Sequence, residues 1–434
     1  MMSIGSDYLP DVRAQYESLP YPPRNPEDEG RRLITTWLDD LPMINHYCFG
    51  GAQSFEHGFR VLVAGGGTGD GTIYLAEQLR ATNAEIIHLD LSEASIAIAR
   101  KRADARRLNN IRWVHDSLLS LPGLGLGEFD YINCSGVLHH LADPNAGLEA
   151  LLGARKASGA LGVMVYGRYG RTGVYQMQSL LRMVSNDAAT MGARLDDAKE
   201  ILGCLPSSNW FQRGQDLYSD HMVFGDAGIC DLLLHQQDCA YTVPELYAWF
   251  EDRHGLHLEF TDVGCGRASY LPQMVIGLSQ PHFISRVSAK PLREQYAIAE
   301  LLSGRLDMHS FYATASQVPV APYGNPAMIP FFFHEPVSGP EISALIHRNQ
   351  AAPLVINHSH TGLSSAIDPG KFGKFIMKYI DGKRTFGEIF ALVKAEDKFR
   401  RSPPGDDELF ADFKSLYDFF NAIDRLLLKR KCTE

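Results

Sequence analysis

The apolar run Val61-Leu62-Val63-Ala64 leads directly into Gly65-Gly66-Gly67-Thr68-Gly69-Asp70-Gly71. Glycines at such a turn permit positive φ and let a ligand touch bare backbone. A helix opening there offers unpaired N–H groups and the positive end of its dipole, so an anionic ligand group, carboxylate or phosphate, fits. A tight strand-to-helix connection with no ligand would have the same residues, and the polar positions that follow therefore weigh more. Asp90 lies 21 residues after Gly69 at the end of a second β-rich run, where a carboxylate can accept hydrogen bonds from two ribose hydroxyls. Asp116 follows a third run, in Trp113-Val114-His115-Asp116-Ser117-Leu118, and can face an exocyclic adenine amine. A fourth run ends in Asn133-Cys134-Ser135-Gly136-Val137-Leu138-His139-His140-Leu141. A dinucleotide fingerprint fails, because Gly65 and Gly67 lead to Asp70, and Gly67 and Gly69 lead to Thr72; a phosphate loop of the Gly-Lys-Ser/Thr type is absent too.

These positions need a scaffold, and the chain supplies a βαβ cadence. Strands are expected at 60–64, 85–90, 111–115, 129–134 and 160–166, with helices at 71–80, 92–108 and 144–156 between them. That alternation implies an α/β fold, a doubly wound parallel sheet covered on both faces, with the polar positions at the carboxyl ends of the strands. Helices at 175–201 and 243–254 and strands at 256–261 and 273–278 would complete it, with 202–240 as an insertion. Residues 1–58 read as a lid, 59–281 as the main domain and 282–434 as a smaller α+β domain. The last is expected to hold a helix at 291–304, strands at 329–334 and 354–358, and helices at 372–380, 386–393 and 406–430. Thr385 and Glu388 form a capping box after the Asp381-Gly382 turn, and Leu426 to Lys431 reads as the amphipathic, basic end of the last helix.

On the glycine turn, Asp90, Asp116 and the segment Gly136-Val137-Leu138-His139-His140-Leu141-x-Asp143-Pro144, residues 16–280 resemble a class I S-adenosylmethionine-dependent methyltransferase with a Rossmann-like sheet. The resemblance implies S-adenosyl-L-methionine as cofactor. It lays Gly65, Gly66, Gly67 and Gly69 along the methionine part, Asp90 with Leu91 at the ribose, Asp116 with Ser117 at the adenine, and Cys134 alongside. One departure stands out: the family's usual acidic residue two before the first glycine is Val63 here. The methionine ammonium then needs another acceptor, for which Asp70 is the expectation.

Methyl transfer from a sulfonium is an in-line displacement, which asks mainly for alignment of the acceptor and exclusion of water. Enzymes that methylate nucleobase amines carry Asn/Asp-Pro-Pro-Tyr/Phe after the fourth strand; Asn133-Cys134-Ser135-Gly136 departs from that. Polar and aromatic side chains that could surround an acceptor are Tyr16, Tyr21, Asn45, His46 and Tyr47 in the lid, His139, and Tyr166, Tyr169 and Arg171 after the fifth strand. Aromatic walls hold amines, and His or Tyr can take a proton. His139, Tyr166, Tyr21 and His46 are the candidate catalytic residues; Tyr16, Asn45, Tyr169 and Arg171 are the candidate substrate contacts. Each also has a structural role open to it: packing the lid, satisfying a carbonyl, or lying solvated at the surface. His358-Ser359-His360 has the alternation of some metal sites but no third ligand, so no metal is expected.

A second resemblance rests on Asn45-His46-Tyr47, Tyr166 to Tyr175, Ala240 to Leu246 and Ile380 to Thr385. These are similar to a bacterial methyltransferase group with an added C-terminal domain, which includes protein lysine methyltransferases acting on outer-membrane proteins. It implies a lysine acceptor whose ammonium must lose a proton before attack, and a C-terminal domain that presents the protein substrate or mediates a homodimer. A small metabolite acceptor, and a non-catalytic module that binds the cofactor, remain the alternatives.

Composition narrows the partners. The 434 residues carry 41 Lys plus Arg against 51 Asp plus Glu, a net charge of −10 that opposes a nucleic-acid partner. No apolar run approaches the roughly 20 residues of a membrane helix, and Met1 to Asp7 lacks a basic-then-apolar leader, so no membrane insertion and a cytoplasmic location are expected. Seven cysteines, at 48, 134, 204, 230, 239, 265 and 432, include no Cys-x-x-Cys pair and read as reduced thiols.

Overall fold

Five strands form a parallel sheet in the order β3-β2-β1-β4-β5: β1 (Arg60–Ala64), β2 (Glu85–Asp90), β3 (Ile111–His115), β4 (Phe129–Ser135) and β5 (Arg155–Gly167). The structure is a computed structural model that describes residues 10–185, 190–279, 281–315, 320–333, 337–349, 353–357 and 364–431. Val61 to Ala64 of the central strand are all buried, as a strand covered on both faces requires. The helices Asp70–Gln78, Glu93–Arg106 and Pro144–Ala154 are the crossovers. Ser92 Oγ accepts from Ser95 N at 3.1 Å to start the second, and Asp143 with Pro144 at N1 starts the third. Strand order reverses between β1 and β4, which puts the ligand crevice of such a sheet at their carboxyl ends. The expected doubly wound fold is therefore present.

These strands belong to the first of two compact units, made of Met1–Asp39, Phe55–Leu246 and Gly304–Ser310. The insertion is more than a loop. Its helix Gly225–Leu233 packs with the helices Thr172–Val184 and Met191–Cys204 around Met177, Leu181, Leu195, Phe211 and Leu232, and β6 (Ala240–Tyr241) then pairs with β5 at Tyr166 and Gly167. The single helix expected over 175–201 is two: the first ends at Val184, and Thr190 caps the second through Ala193 N at 3.3 Å.

The second unit comprises Asp40–Ser54, Tyr247–Ser303 and Phe311–Glu434, so the divisions differ from the expected 58 and 281. β7 (Leu256–Thr261) runs beside β8 (Met308–Ala315), β9 (Ile329–Phe332) pairs with the last strand, and β10 (Leu354–Asn357) pairs with β11 (Ser364–Ile367). The helices Gly373–Tyr379, Phe386–Ala395 and Asp406–Ala422 enclose a core of Phe372, Ile376, Phe386, Phe390, Leu409, Phe413 and Leu416. The capping box of Thr385 and Glu388 forms as expected.

Three local expectations fail here. The basic helix end is instead β12 (Leu426–Lys429), antiparallel to β9: Asp424 at φ 53° stops the helix, and Leu426, Leu427 and Leu428 are all fully buried, which an amphipathic helix face would not allow. The stretch 273–278 is the helical turn Pro272–Val275, with Pro272 at its start and Gly277 at φ 66° after it. The helix from 243 gives way to a π-type turn at Tyr247–Asp252. Among the described residues no helix is long and apolar enough to cross a membrane.

Candidate active site

The glycine turn is tied to the end of β2. Gly65 N and Gly66 N donate to Leu89 O at 2.8 and 3.1 Å, and Gly67 N donates to Asp90 Oδ2 at 2.7 Å. A Cβ on Gly66 would lie 2.4 Å from the His88 ring, and Gly69 needs φ 101° with Ala99 only 2.8 Å from where its Cβ would be. Side chains are thus excluded on packing as well as conformational grounds. Ser92 N donates to the other Asp90 oxygen at 2.8 Å. Burial raises the Asp90 carboxyl above its usual value, and those two backbone donors oppose the rise. Asp116 N donates to Asp90 O at 3.1 Å, and Asp116 Oδ1 accepts from Ser117 N at 2.7 Å. The Leu91 carbonyl bonds the His115 ring at 3.0 Å. Cys134 is fully buried, its thiol pushed up to about 12 by desolvation, and so packs rather than reacts.

Asp70 does not behave as expected. Arg24 holds it through Nη2 at 2.6 Å and Nε at 3.0 Å, and Arg102 Nη1 approaches Oδ1 at 2.6 Å. Burial alone would raise its carboxyl, but the two guanidiniums draw it below the usual value. Arg102 also reaches Thr68 O at 2.8 Å and Glu29 at 2.6 Å, and Arg106 bonds Glu29 as well. A carboxylate committed to two arginines clamps the turn and is not available to an ammonium.

The segment before β1 covers the turn. Thr68 Oγ1 donates to Pro22 O at 2.7 Å, and Glu17 accepts from Glu93 N and Ala94 N at 2.9 and 3.0 Å. Tyr16 joins two sites: its carbonyl accepts from Ser92 Oγ at 3.1 Å beside Asp90, while its hydroxyl donates to Asp231 Oδ1 at 3.0 Å and lies 3.3 Å from His235 Nε2. Because His235 Nδ1 accepts from Gln237 N at 3.2 Å, the neutral ring carries its proton on Nε2, giving a relay from His235 through Tyr16 to Asp231. His140 stacks on His235 at 3.8 Å, and His139 lies 3.9 Å from the Tyr166 ring. Both ring nitrogens of the buried His139 have no hydrogen-bond partner. Desolvation keeps all three imidazoles neutral, His140 at about 4, His235 at about 3 and His139 well below its usual value. Desolvation also lifts Asp231 to about 7.

Tyr21 packs edge-on to Phe224 at 5.6 Å beside this cluster, and burial raises its phenol. Arg171 is not a substrate contact: it is buried, paired with Asp238 at 3.2 Å, with its guanidinium 3.5 Å from the Tyr166 ring centre. Tyr175 and Gln178 complete the Asp238 shell at 2.9 and 3.0 Å. Tyr169 is 39% exposed, and its carbonyl takes the Thr172 hydroxyl at the start of the following helix. Asn45 and His46 lie in the second unit. Asn45 Oδ1 accepts from Gln53 N at 2.9 Å, and buried His46 bonds Leu428 and Asn421, so it closes a core instead of moving protons. His358 and His360 fall outside the described residues, among which no three ligand side chains gather for a metal. Asp231, His235 and Asp238 were not foreseen. The available signal was Asp231 and His235 four apart, one helical face of an apolar run.

Residues 62–161 match the model of a methyltransferase domain. An uncharacterized protein of Synechococcus sp. is 30% identical over 317 residues, which cover 71% of this chain and 72% of that one. The chain carries a class I S-adenosylmethionine-dependent methyltransferase domain. It shares a family with the Synechococcus protein. A ubiquinone biosynthesis O-methyltransferase of Acinetobacter baumannii is 29% identical over 93 residues, 21% of this chain and 38% of that enzyme. Among solved structures, PKMT2 from Rickettsia typhi in complex with AdoHcy superposes with a TM-score of 0.61 at 15% identity, over 91% of this methyltransferase and 76% of PKMT2.

The donor set fits the cofactor, S-adenosylmethionine. The glycine turn would lay side-chain-free backbone against its amino-acid part, and Asp90, held by Gly67 N and Ser92 N, would offer its remaining lone pairs to ribose hydroxyls. Bound there, the cofactor supplies an electrophilic methyl on a sulfonium. With S-adenosylhomocysteine at 100 times its dissociation constant, the methyltransferase should gain about 2.7 kcal/mol of stability. Asp90→Ala should lose most of that gain in a thermal-shift titration, and an unchanged shift would place the ribose elsewhere.

Proposed function

We propose that the methyl acceptor is an amine, and specifically the side chain of a protein lysine, seated among Tyr16, Asp231, His139 and Tyr166. The observation that carries this reading is Tyr16, one residue that touches Ser92 at the ribose end of the cofactor site and Asp231 in the buried cluster. Because Asp238 neutralises Arg171, Asp231 is left as a surplus negative charge among aromatic rings, an environment suited to a cation. With a pKa of about 7, Asp231 is matched to accept the ammonium proton near neutrality. The cofactor would supply the methyl carbon to the freed nitrogen lone pair, with its sulfonium sulfur as the leaving group that keeps the bond electrons as a thioether.

A protein acceptor is favoured over a metabolite by the exposed apolar side chains next to Phe224 in the chain, Met222 and Val223, each 64% exposed. Trp210, 56% exposed, stands next to Phe211, whose ring packs on His221 at 5.2 Å, and such apolar surface is more than a small acceptor needs. The likeness of fold to PKMT2 supports the same reading. The second unit, in this proposal, presents the protein substrate or pairs two copies. Incubating the purified protein with methyl-labelled cofactor and a bacterial lysate tests it: label should appear on lysine in the macromolecular fraction. Label confined to small molecules would favour a metabolite acceptor, and no label at all would leave a cofactor-binding module.

A further inference from the structure

S-adenosylmethionine carries an α-ammonium that, once covered, needs a carboxylate close by, since an unpaired charge removed from water is strongly unfavourable. At the end of β1, where the family places that acid, stands Val63, and its side chain is apolar and buried. Of the acids around the turn, Asp70 is taken by Arg24 and Arg102, and Asp90 lies on β2, held by Gly67 N and Ser92 N.

We infer that Asp39, delivered from the segment before β1, takes the place of the missing acid and receives the methionine ammonium. Val63 and Asn133 are Cα partners across β1 and β4, so their side chains share one face of the sheet. Asn133 Nδ2 donates to Asp39 Oδ1 at 2.7 Å, which sets the carboxylate beside Val63 on that face. Asp39 Oδ2 lies 2.8 Å from where a Cβ on Gly71 would be, at the first turn of the helix that leaves the glycine turn. Thr36 Oγ1 holds the same oxygen at 2.6 Å. The backbone around it is pinned: Tyr131 OH donates to Leu38 O at 2.7 Å, and Gln78 Nε2 donates to Asp39 O at 2.9 Å. An acid carried on a separate segment, fixed by three side chains of the sheet and its first helix, stands in for the one that the family resemblance places on the strand itself. Gly71 is part of the same device, because any side chain there would meet the carboxylate.

This assignment rests on the cofactor site described above, and a comparison of two ligands separates it from that site. S-adenosylhomocysteine has the ammonium; methylthioadenosine keeps the nucleoside and the sulfur but lacks the amino-acid part. By calorimetric titration, D39N should bind S-adenosylhomocysteine about 10- to 100-fold more weakly and methylthioadenosine within about twofold of the parent. Equal weakening of both ligands, or none for S-adenosylhomocysteine, would overturn the assignment. If D39N proves too unstable to titrate, Thr36→Val should show the same contrast at about threefold, and its absence there would count equally against Asp39. Failure of the parent protein to bind either ligand would instead remove the cofactor site itself, and this inference with it.

Discussion

Asp231→Asn is expected to lower kcat by about 10²- to 10⁴-fold, the range for removing a positioned proton acceptor, without lowering the melting temperature at pH 8. The two halves of this result come from one cause. Burial raises the folded-state pKa of Asp231 to about 7, above the roughly 3.9 of an unfolded chain, so the folded protein holds that proton more tightly. The associated stability is complete below the unfolded value and is lost as pH rises through the folded one. Above pH 7 the parent therefore carries a desolvated charge that the amide variant lacks. The melting temperature of the variant relative to the parent should climb between pH 4 and pH 8, while its activity stays low throughout. In the parent, kcat/KM should fall as pH drops through about 7, as Asp231 gains its proton. The groups facing it, Tyr16, Asp220, Asp238 and Arg171, remain in the variant. A variant with near-normal kcat would remove Asp231 from the chemistry. One that is inactive and less stable at pH 8 would make it structural.

The second large effect is on folding. Arg102 is 1% exposed and is bonded to Glu29, Asp70 and Thr68 O, so Arg102→Ala opens a buried hole and leaves Glu29 to Arg106 alone and Asp70 to Arg24 alone. Breaking such a network from one side costs about 3–5 kcal/mol. Urea unfolding at pH 7 should show that loss. Adding Glu29→Gln to Arg102→Ala should cost less than Glu29→Gln alone, because the strongest partner of that buried carboxylate is already gone. The Asp70 carboxyl sits below its usual value, so its share of the stability is present above an unfolded pKa near 3.9 and disappears as pH falls through the lower folded value. Parent and variant should therefore converge in acid. A loss of under about 1 kcal/mol at pH 7 would show the network to be worth no more than surface ion pairs.

Much of this was legible in the sequence because it is local. A strand, its glycine turn and the next helix occupy one short stretch, and Asp90 and Asp116 recur at the same end of successive strands, so periodicity alone places them together. What was not legible depends on distant partners. Tyr16 and Asp231 are 215 residues apart, and His46 meets Leu428 across 382. No pattern near His46 distinguishes a proton carrier from a core histidine. β8 was missed because His309, Ser310 and Thr314 break its apolar run, although each is buried. β12 was misread because Leu-Leu-Leu-Lys suits a helix by propensity, while its pairing with Ile329–Phe332 decides the strand. Arg171 looked like a free cation after the fifth strand; Asp238, 67 residues later in the insertion, takes that charge.

The most direct test of the central claim is a crystal structure of the full chain with S-adenosylhomocysteine. Its ribose hydroxyls should lie on Asp90, and its sulfur should face the space bounded by Tyr16, His139 and Tyr166. A nucleoside bound away from Asp90, or a sulfur turned from those three side chains, would contradict the account.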